Sequence, residues 1–373
     1  MQFIDLQAQR LRLGDSVEQA ILKVVRSGQY ILGPEIAELE RRLAAFCGAR
    51  HALTVANGTD ALALALMALG LKPGQAVLVP SFTFAATAEV VVCAGAVPIF
   101  IDCMIDTFNI DARSLEAGIA TAKGLGLVPV GVIPVDLFGL PADYDAIEPI
   151  CAAHKLWVLA DAAQGFGATY KGRKTGAIGT VSSTSFFPAK PLGCYGDGGA
   201  LFVEDSDMFA VLKSLRVHGQ GADKYDNLRI GMNGRMDTIQ AAVLLEKLRI
   251  FPDEIEARNR IALRYGEALS NICSVPSVPA GLESVWAQYT VRIPAEKRDK
   301  VARDMAAAGI PTQIYYKRPM HRQTAYAGFP TVVGGLPVSD RLSEEVLSLP
   351  MHPYLDESQQ SLVIEKLKAA LGA

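Results

Sequence analysis

The sequence predicts an α/β protein built on a largely parallel sheet, and three observations carry this. Between residues 52 and 161 short apolar runs alternate with stretches of helical periodicity, the pattern of strand–helix units whose sheet is covered on both faces. The tetrapeptide Asn57-Gly58-Thr59-Asp60 follows one such run and opens a helix, and Asp161 ends another; sheets of this kind bind ligands beyond the carboxyl ends of their strands. After Cys273 the chain changes to shorter strands and helices, which predicts a second, smaller unit.

Taken in order, Ile36, Leu39, Leu43 and Phe46 recur at helical spacing and stop at Gly48, a helix with a glycine end signal. Strands are expected at 52–55, 76–79, 97–101, 128–135 and 156–160, with helices at 60–69, 83–94, 112–120 and 144–153 between them. A long helix is expected to start after Pro252 and run through Arg258 and Tyr265 to Leu269. Residues 289–293 read as a strand and 297–308 as a helix. A boundary near residue 251 divides the chain into a large unit, 1–250, and a small one, 251–373.

Composition narrows the function classes. Half of the 373 residues are hydrophobic and a fifth are charged, as in a globular enzyme. A net charge of −3 without a basic run makes neither nucleic acid nor an anionic membrane the expected partner. The six cysteines are scattered with no CxxC pair, which points to a reducing compartment and to neither a disulfide framework nor a zinc site. Met1-Gln2-Phe3-Ile4-Asp5 lacks the basic and apolar regions of a signal peptide. The most apolar stretch, 84–101, is broken by Glu89, Gly95 and Pro98 and reads as a buried helix and strand.

The chemistry concentrates in Ser185-Phe186-Phe187-Pro188-Ala189-Lys190-Pro191-Leu192-Gly193-Cys194-Tyr195-Gly196-Asp197-Gly198-Gly199. A lysine that forms a Schiff base needs a desolvated pocket and a lowered pKa, and the glycines are expected to leave room for a planar cofactor. Asp161 lies 29 residues earlier. A carboxylate at the end of a buried strand needs a cationic or hydrogen-bonded partner, which a pyridinium nitrogen or the next helix can supply. Asn57-Gly58-Thr59-Asp60 can present successive N–H groups to a phosphate, or simply cap its helix. The Ser185 hydroxyl can join the same phosphate, and Phe84, expected on the helix after the second strand, can stack on a cofactor ring or belong to the core.

With these residues in place the chain resembles the DegT/DnrJ/EryC1/StrS aminotransferases, pyridoxal-phosphate enzymes of fold type I that act on nucleotide sugars. The matching stretches are Phe3-Ile4-Asp5-Leu6, Asn57-Gly58-Thr59-Asp60-Ala61-Leu62, Pro80-Ser81-Phe82-Thr83-Phe84-Ala85-Ala86-Thr87-Ala88, Asp161-Ala162-Ala163-Gln164, Ser185-Phe186-Phe187-Pro188-Ala189-Lys190, and Gly231-Met232-Asn233-Gly234-Arg235-Met236-Asp237-Thr238-Ile239-Gln240-Ala241-Ala242. They cover essentially the whole chain. The resemblance implies an aspartate-aminotransferase-like large domain, with a mixed, mostly parallel sheet, and a smaller C-terminal α/β domain. It implies that Lys190 carries pyridoxal 5′-phosphate covalently and that Asp161 pairs with the pyridine nitrogen. Gln164 would lie against the ring, Gly58, Thr59, Asp60 and Ser185 around the phosphate, and Phe84 on the ring face. Asn233 would reach the phosphate of a neighbouring subunit, which implies a homodimer with its sites at the interface.

Further stretches resemble the branch that acts on UDP-2-acetamido-2-deoxy-3-oxo-glucuronate for bacterial surface polysaccharide: Pro191–Gly199, Arg216-Val217-His218-Gly219-Gln220 and Leu349-Pro350-Met351-His352-Pro353. Arg235 suits the sugar carboxylate, since a guanidinium binds it bidentately, or else pairs with an acidic side chain at the dimer interface. Tyr315 stands where the resemblance leads one to expect the His of a His-Tyr pair, beside Tyr316, and His321 and His218 are further polar candidates. The expected reaction is amino transfer from L-glutamate to the nucleotide-linked keto sugar, in the cytoplasm. The alternatives are a dTDP-3-keto or 4-keto-6-deoxy sugar as acceptor, or a pyridoxal-phosphate sugar dehydratase. A nicotinamide oxidoreductase is disfavoured, because no GxGxxG follows a strand. A regulator that kept only the fold is disfavoured by the full set of Lys190, Asp161, Gln164 and Ser185.

Overall fold

The computed structural model describes residues 1–223 and 225–372. Three helices open the chain: α1 (Leu6–Leu13), α2 (Ser16–Ser27) and α3 (Pro34–Cys47). The last of these buries Ile36, Leu39, Leu43 and Cys47 and ends at Gly48, whose φ of 80° is the left-handed conformation glycine adopts freely. The expected alternation follows: β1 (His51–Val55), α4 (Gly58–Ala68), β2 (Gln75–Pro80), α5 (Ala86–Cys93), β3 (Val97–Ile101), α6 (Ala112–Gly124), β4 (Val128–Val132), α7 (Tyr144–His154) and β5 (Trp157–Asp161). A short hairpin, β6 (Thr169–Tyr170) and β7 (Arg173–Lys174), precedes β8 (Val181–Ser185) and β9 (Gly199–Val203).

Among the described residues seven strands form the main sheet in the order β1-β9-β8-β5-β4-β2-β3. Only β9 runs against its neighbours, pairing antiparallel with both β1 and β8. The carboxyl ends of β1, β2, β5 and β8 therefore open on one edge, and the start of β9 joins them there. That edge carries Asn57, Ser81, Asp161 and Lys190. β2 and β5 are buried almost throughout and β4 at its carboxyl end, as a sheet covered on both faces requires.

Two expectations on elements are corrected. The strand expected at 128–135 stops at Val132. Pro134 has no N–H to continue a ladder, and the chain rejoins the sheet through a bridge from Val135 to Asp161. The long helix does not start after Pro252. After α8 (Ser206–Leu215) comes α9, Thr238–Leu269, one 32-residue helix with Pro252 inside it. Ala241, Leu244, Leu248 and Phe251 continue the buried stripe on the near side of the proline, while the proline itself faces solvent. The helix joins two cores: Leu244, Leu248 and Phe251 pack with Phe166, Phe186 and Phe202, whereas Ile261, Tyr265 and Leu269 pack with Trp286, Tyr289 and Val291.

The remainder is β10 (Leu282–Glu283), β11 (Tyr289–Arg292), α10 (Ala295–Ala307), α11 (Pro337–Glu345), β12 (Val346–Leu349) and α12 (Glu357–Leu371). β11 and β12 pair antiparallel, and β10 returns to the hairpin of β6 and β7. The segment before α11 also returns: Met320, Val332 and Leu336 belong to the core of the main sheet. No helix of the described residues is long and apolar enough to cross a membrane.

Candidate active site

The site is assembled at the carboxyl edge of the sheet. Asp161 ends β5 and is only 5% exposed. Its Oδ1 accepts from the N–H of Ala163 (3.1 Å) and its Oδ2 from Thr87 Oγ1 (3.2 Å). Thr87 in turn shares a 3.2 Å hydrogen bond with Thr83. Among the described residues Asp161 has no ion-pair partner. Burial pushes its carboxyl up from the usual range, against the Ala163 N–H, the charge of Lys190 and the Thr87 hydroxyl. Lys190, half-buried in the turn after β8, is held by its N–H to Phe187 O (2.8 Å). Burial pushes its amine down, and the Asp161 charge opposes that. No hydrogen bond to the Lys190 amine is present among the described residues. A buried carboxylate short of a cation, with an amine of lowered basicity in its field, is an arrangement that awaits a third group.

The anion end lies at α4. Asn57 adopts an extended conformation and caps the helix, its Oδ1 accepting from Asp60 N at 2.8 Å. The capping reading of this tetrapeptide is thus realised, yet the N–H groups of Gly58 and Thr59 keep no acceptor among the described residues. Gly58 is required here, because a Cβ at this position would lie 2.7 Å from Ser185 Cβ and 3.1 Å from Ser185 Oγ. That close approach sets the Ser185 hydroxyl beside a helix N-terminus with free donors, the arrangement a phosphate needs. Asp60 is half-buried, and burial pushes its carboxyl up.

Gln164 is buried between two partners. Its Oε1 accepts from Phe138 N (2.7 Å) and its Nε2 donates to the Tyr316 hydroxyl (3.0 Å). Tyr316 packs edge-on against Phe82 and against Tyr315, whose ring also meets Phe3. Phe84 is not on a helix: it sits in the turn between β2 and α5, and its ring is 58% exposed. The turn is fixed by Ser81, which donates to Ile101 O through its N–H and bonds His321 Nδ1 through its hydroxyl at 2.7 Å. The other His321 nitrogen lies 3.2 Å from Asp340 Oδ1, so protein groups engage both. His218 is exposed in the loop before α9.

Arg235 and Asn233 lie on that same loop, tied to the end of β1 by the Ala56 N–H donating to Gly234 O (2.9 Å). Asn233 is exposed, and the Arg235 Nε is buried with no acceptor. Arg235 forms no ion pair among the described residues of the protomer.

The glycine loop after Lys190 has a different purpose from the one expected. A Cβ on Gly193 would lie 2.5 Å from Pro188 O, one on Gly198 3.0 Å from Cys194 Sγ, and one on Gly199 2.5 Å from Asn57 O. These glycines let the loop fold against itself and against α4, and the space they leave is filled by protein. The sequence reading missed Thr87, Phe138 and Asp136. The i, i+4 pairing of Thr83 and Thr87 at a helix start was the available signal for the first; Phe138 acts through its backbone, which no side-chain motif reports.

Together a free amine, an unpaired buried carboxylate, two free N–H groups with a hydroxyl, and an exposed aromatic face fit a phosphorylated aromatic cation that reacts with amines. These residues fit pyridoxal phosphate. The comparisons agree with this chemistry. Residues 12–368 match the model of the DegT/DnrJ/EryC1/StrS aminotransferase family. A UDP-2-acetamido-2-deoxy-3-oxo-D-glucuronate aminotransferase from Pseudomonas aeruginosa is 44% identical, over 98% of this chain and 99% of its own. A DegT DnrJ EryC1 StrS aminotransferase from Brucella abortus has a crystal structure with a TM-score of 0.98 and 52% identity, covering all of both chains. A sugar aminotransferase of Streptococcus pneumoniae in its PMP form superposes with a TM-score of 0.89 at 26% identity, over 96% of this chain and 97% of its own.

Proposed function

The chain belongs to the DegT/DnrJ/EryC1/StrS aminotransferase family, and on that premise we propose that it transfers an amino group from L-glutamate to UDP-2-acetamido-2-deoxy-3-oxo-glucuronate. It is a nucleotide-sugar aminotransferase that uses pyridoxal phosphate. The choice of sugar rests on the full-length similarity to the Pseudomonas aeruginosa enzyme. The Arg235 guanidinium supports it, since it forms no ion pair among the described residues and a uronate brings a carboxylate.

Bound pyridoxal phosphate supplies a cationic ring that takes up the electrons released when a C–H bond beside nitrogen breaks. Asp161, through the carboxylate fixed by Thr87 and Ala163, holds the proton on the ring nitrogen. Lys190 would hold the cofactor aldehyde through Nζ, and its amine, when free, would take up a proton and give it back at that same nitrogen. An amine made less basic by burial serves as base and then as acid. Gly58, Thr59 and Ser185 bind the phosphate, with Asp60 beside them; Phe84 orients the ring face and Gln164 the ring edge. Tyr315 and Tyr316 line the sugar side, where His321 acts by holding the Ser81 turn.

The same reading makes the protein a homodimer. Asn233 would bind the phosphate of the neighbouring subunit, and exposed Phe187, Leu228 and Ile230 lie on the segments that flank the site. It also divides the chain into 1–250 and 251–373, with the two cores met by α9 on either side, and it places the enzyme in the cytoplasm, where its six free thiols suit a reducing milieu. The product would enter O-antigen or lipopolysaccharide synthesis.

A half-reaction screen tests this. The protein in its pyridoxamine-phosphate form is mixed with UDP- and dTDP-linked keto sugars, and return of the visible cofactor band is timed. The UDP-linked 3-oxo-glucuronate should restore it fastest. A faster response to a dTDP-linked sugar without a carboxylate would overturn the choice of sugar, and ammonia release in place of amino transfer would make the enzyme a dehydratase.

A further inference from the structure

Asp136 lies directly behind Asp161 and is fully buried. Its N–H donates to Asp161 O at 3.0 Å, in the bridge that rejoins the chain to β5. The two oxygens of its side chain are treated differently. Oδ1 accepts twice, from Ala142 N (2.9 Å) and from the Tyr144 hydroxyl (2.8 Å). Oδ2 is buried with no partner. A Cβ on Gly165 would lie 2.4 Å from Asp136 Cβ and 3.2 Å from Oδ2, so the space on that side is closed. Among the described residues no cation pairs with this carboxyl. The titratable groups that face it are Tyr144 from α7 and Asp161 from β5. Tyr144 stays neutral, because burial, first of all, pushes its hydroxyl far up.

An ionised carboxylate spreads its charge over both oxygens, and leaving one of them dry costs far more than leaving a neutral hydroxyl dry. Two accepted bonds on one oxygen and none on the other is the pattern of a carbonyl beside an idle O–H. Two carboxyls in one buried site also resist double ionisation.

We propose that Asp136 is a neutral carboxylic acid at neutral pH, a positioning residue whose proton leaves Asp161 as the single anion beneath the cofactor ring. The proposal rests on the ring site described above. Burial, first, and the neighbouring Asp161 charge push the Asp136 carboxyl up to about 7, against its two hydrogen bonds. Ionisation of Asp136 above that range would place a second negative charge behind Asp161 and favour the protonated forms of the bound cofactor.

A proton held in the folded state and released in the unfolded one stabilises the fold at low pH, and this stabilisation fades as pH rises through the folded pKa. In the cofactor-free protein, the unfolding constant of wild type relative to D136N should therefore rise about 100-fold between pH 5 and pH 8 in urea titrations. In the holoenzyme, the visible absorption of the bound cofactor should titrate near pH 7 in wild type, and D136N should lose that inflection. Wild type alone also reports: the infrared carbonyl band of a protonated acid should be present at pH 6 and gone at pH 9, whether or not D136N folds. Parallel urea curves for the two proteins, or no such band at pH 6, would overturn the proposal. Failure of wild type to take up pyridoxal phosphate would overturn the ring site instead, and the urea and infrared results would still read the Asp136 proton.

Discussion

Lys190 and Asp161 show how much a single residue's surroundings decide. Both are common side chains on the strand ends of an α/β sheet. What sets them apart is that among the described residues neither has an ion-pair partner: Asp161 is anchored by two neutral donors, and Lys190 by its backbone alone. In K190A, turnover should fall at least about 1000-fold, the scale of losing a positioned proton carrier. Borohydride should attach cofactor to wild type and not to the variant, as read by mass spectrometry; equal attachment to both would remove Lys190 from its role. These two residues were legible because a lone lysine in a glycine-dense stretch and an aspartate closing an apolar run are unusual in sequence. Asp136 also closes an apolar run, 128–135, but it lies in none of the stretches that carry the resemblance and was passed over. Only folding reveals that no cation accompanies it.

At the scale of elements, the helix α4 and the helix α9 are the instructive cases. The start of α4 offers a hydroxyl beside its N-terminal N–H groups only because β8 comes close enough to set Ser185 against Gly58. G58A should push that contact apart, costing about 1–3 kcal/mol as overpacking does and weakening pyridoxal-phosphate binding in equilibrium dialysis. Unchanged binding would show that the phosphate lies elsewhere. In α9, Pro252 removes a hydrogen bond to Leu248 O and faces solvent. P252A should restore that bond and stabilise the protein by up to about 3 kcal/mol, the cost of proline in a helix interior; a lower urea midpoint would contradict this. The sequence reading began the helix at this proline because proline is a start signal. The buried stripe from Ala241 to Phe251 outweighs that signal, since burying one continuous face contributes more than one hydrogen bond.

At the scale of the molecule, Ile230 is 90% exposed on the loop that carries Asn233 and Arg235, an unusual position for an isoleucine on a free surface. If the proposed dimer shares its phosphate site, I230D should shift sedimentation towards the monomer and release cofactor; a variant that stays dimeric and keeps its cofactor would refute the shared site. The strand–helix order within 52–161 was determined by the sequence itself, because hydrophobic period and turn chemistry are local properties. The reversal of β9, the continuity of α9, the return of Met320 to the main core and the closeness of Asp136 to Asp161 were decided by tertiary structure. Each depends on which segments exclude water together, and contacts between separate segments leave no periodic trace in the chain.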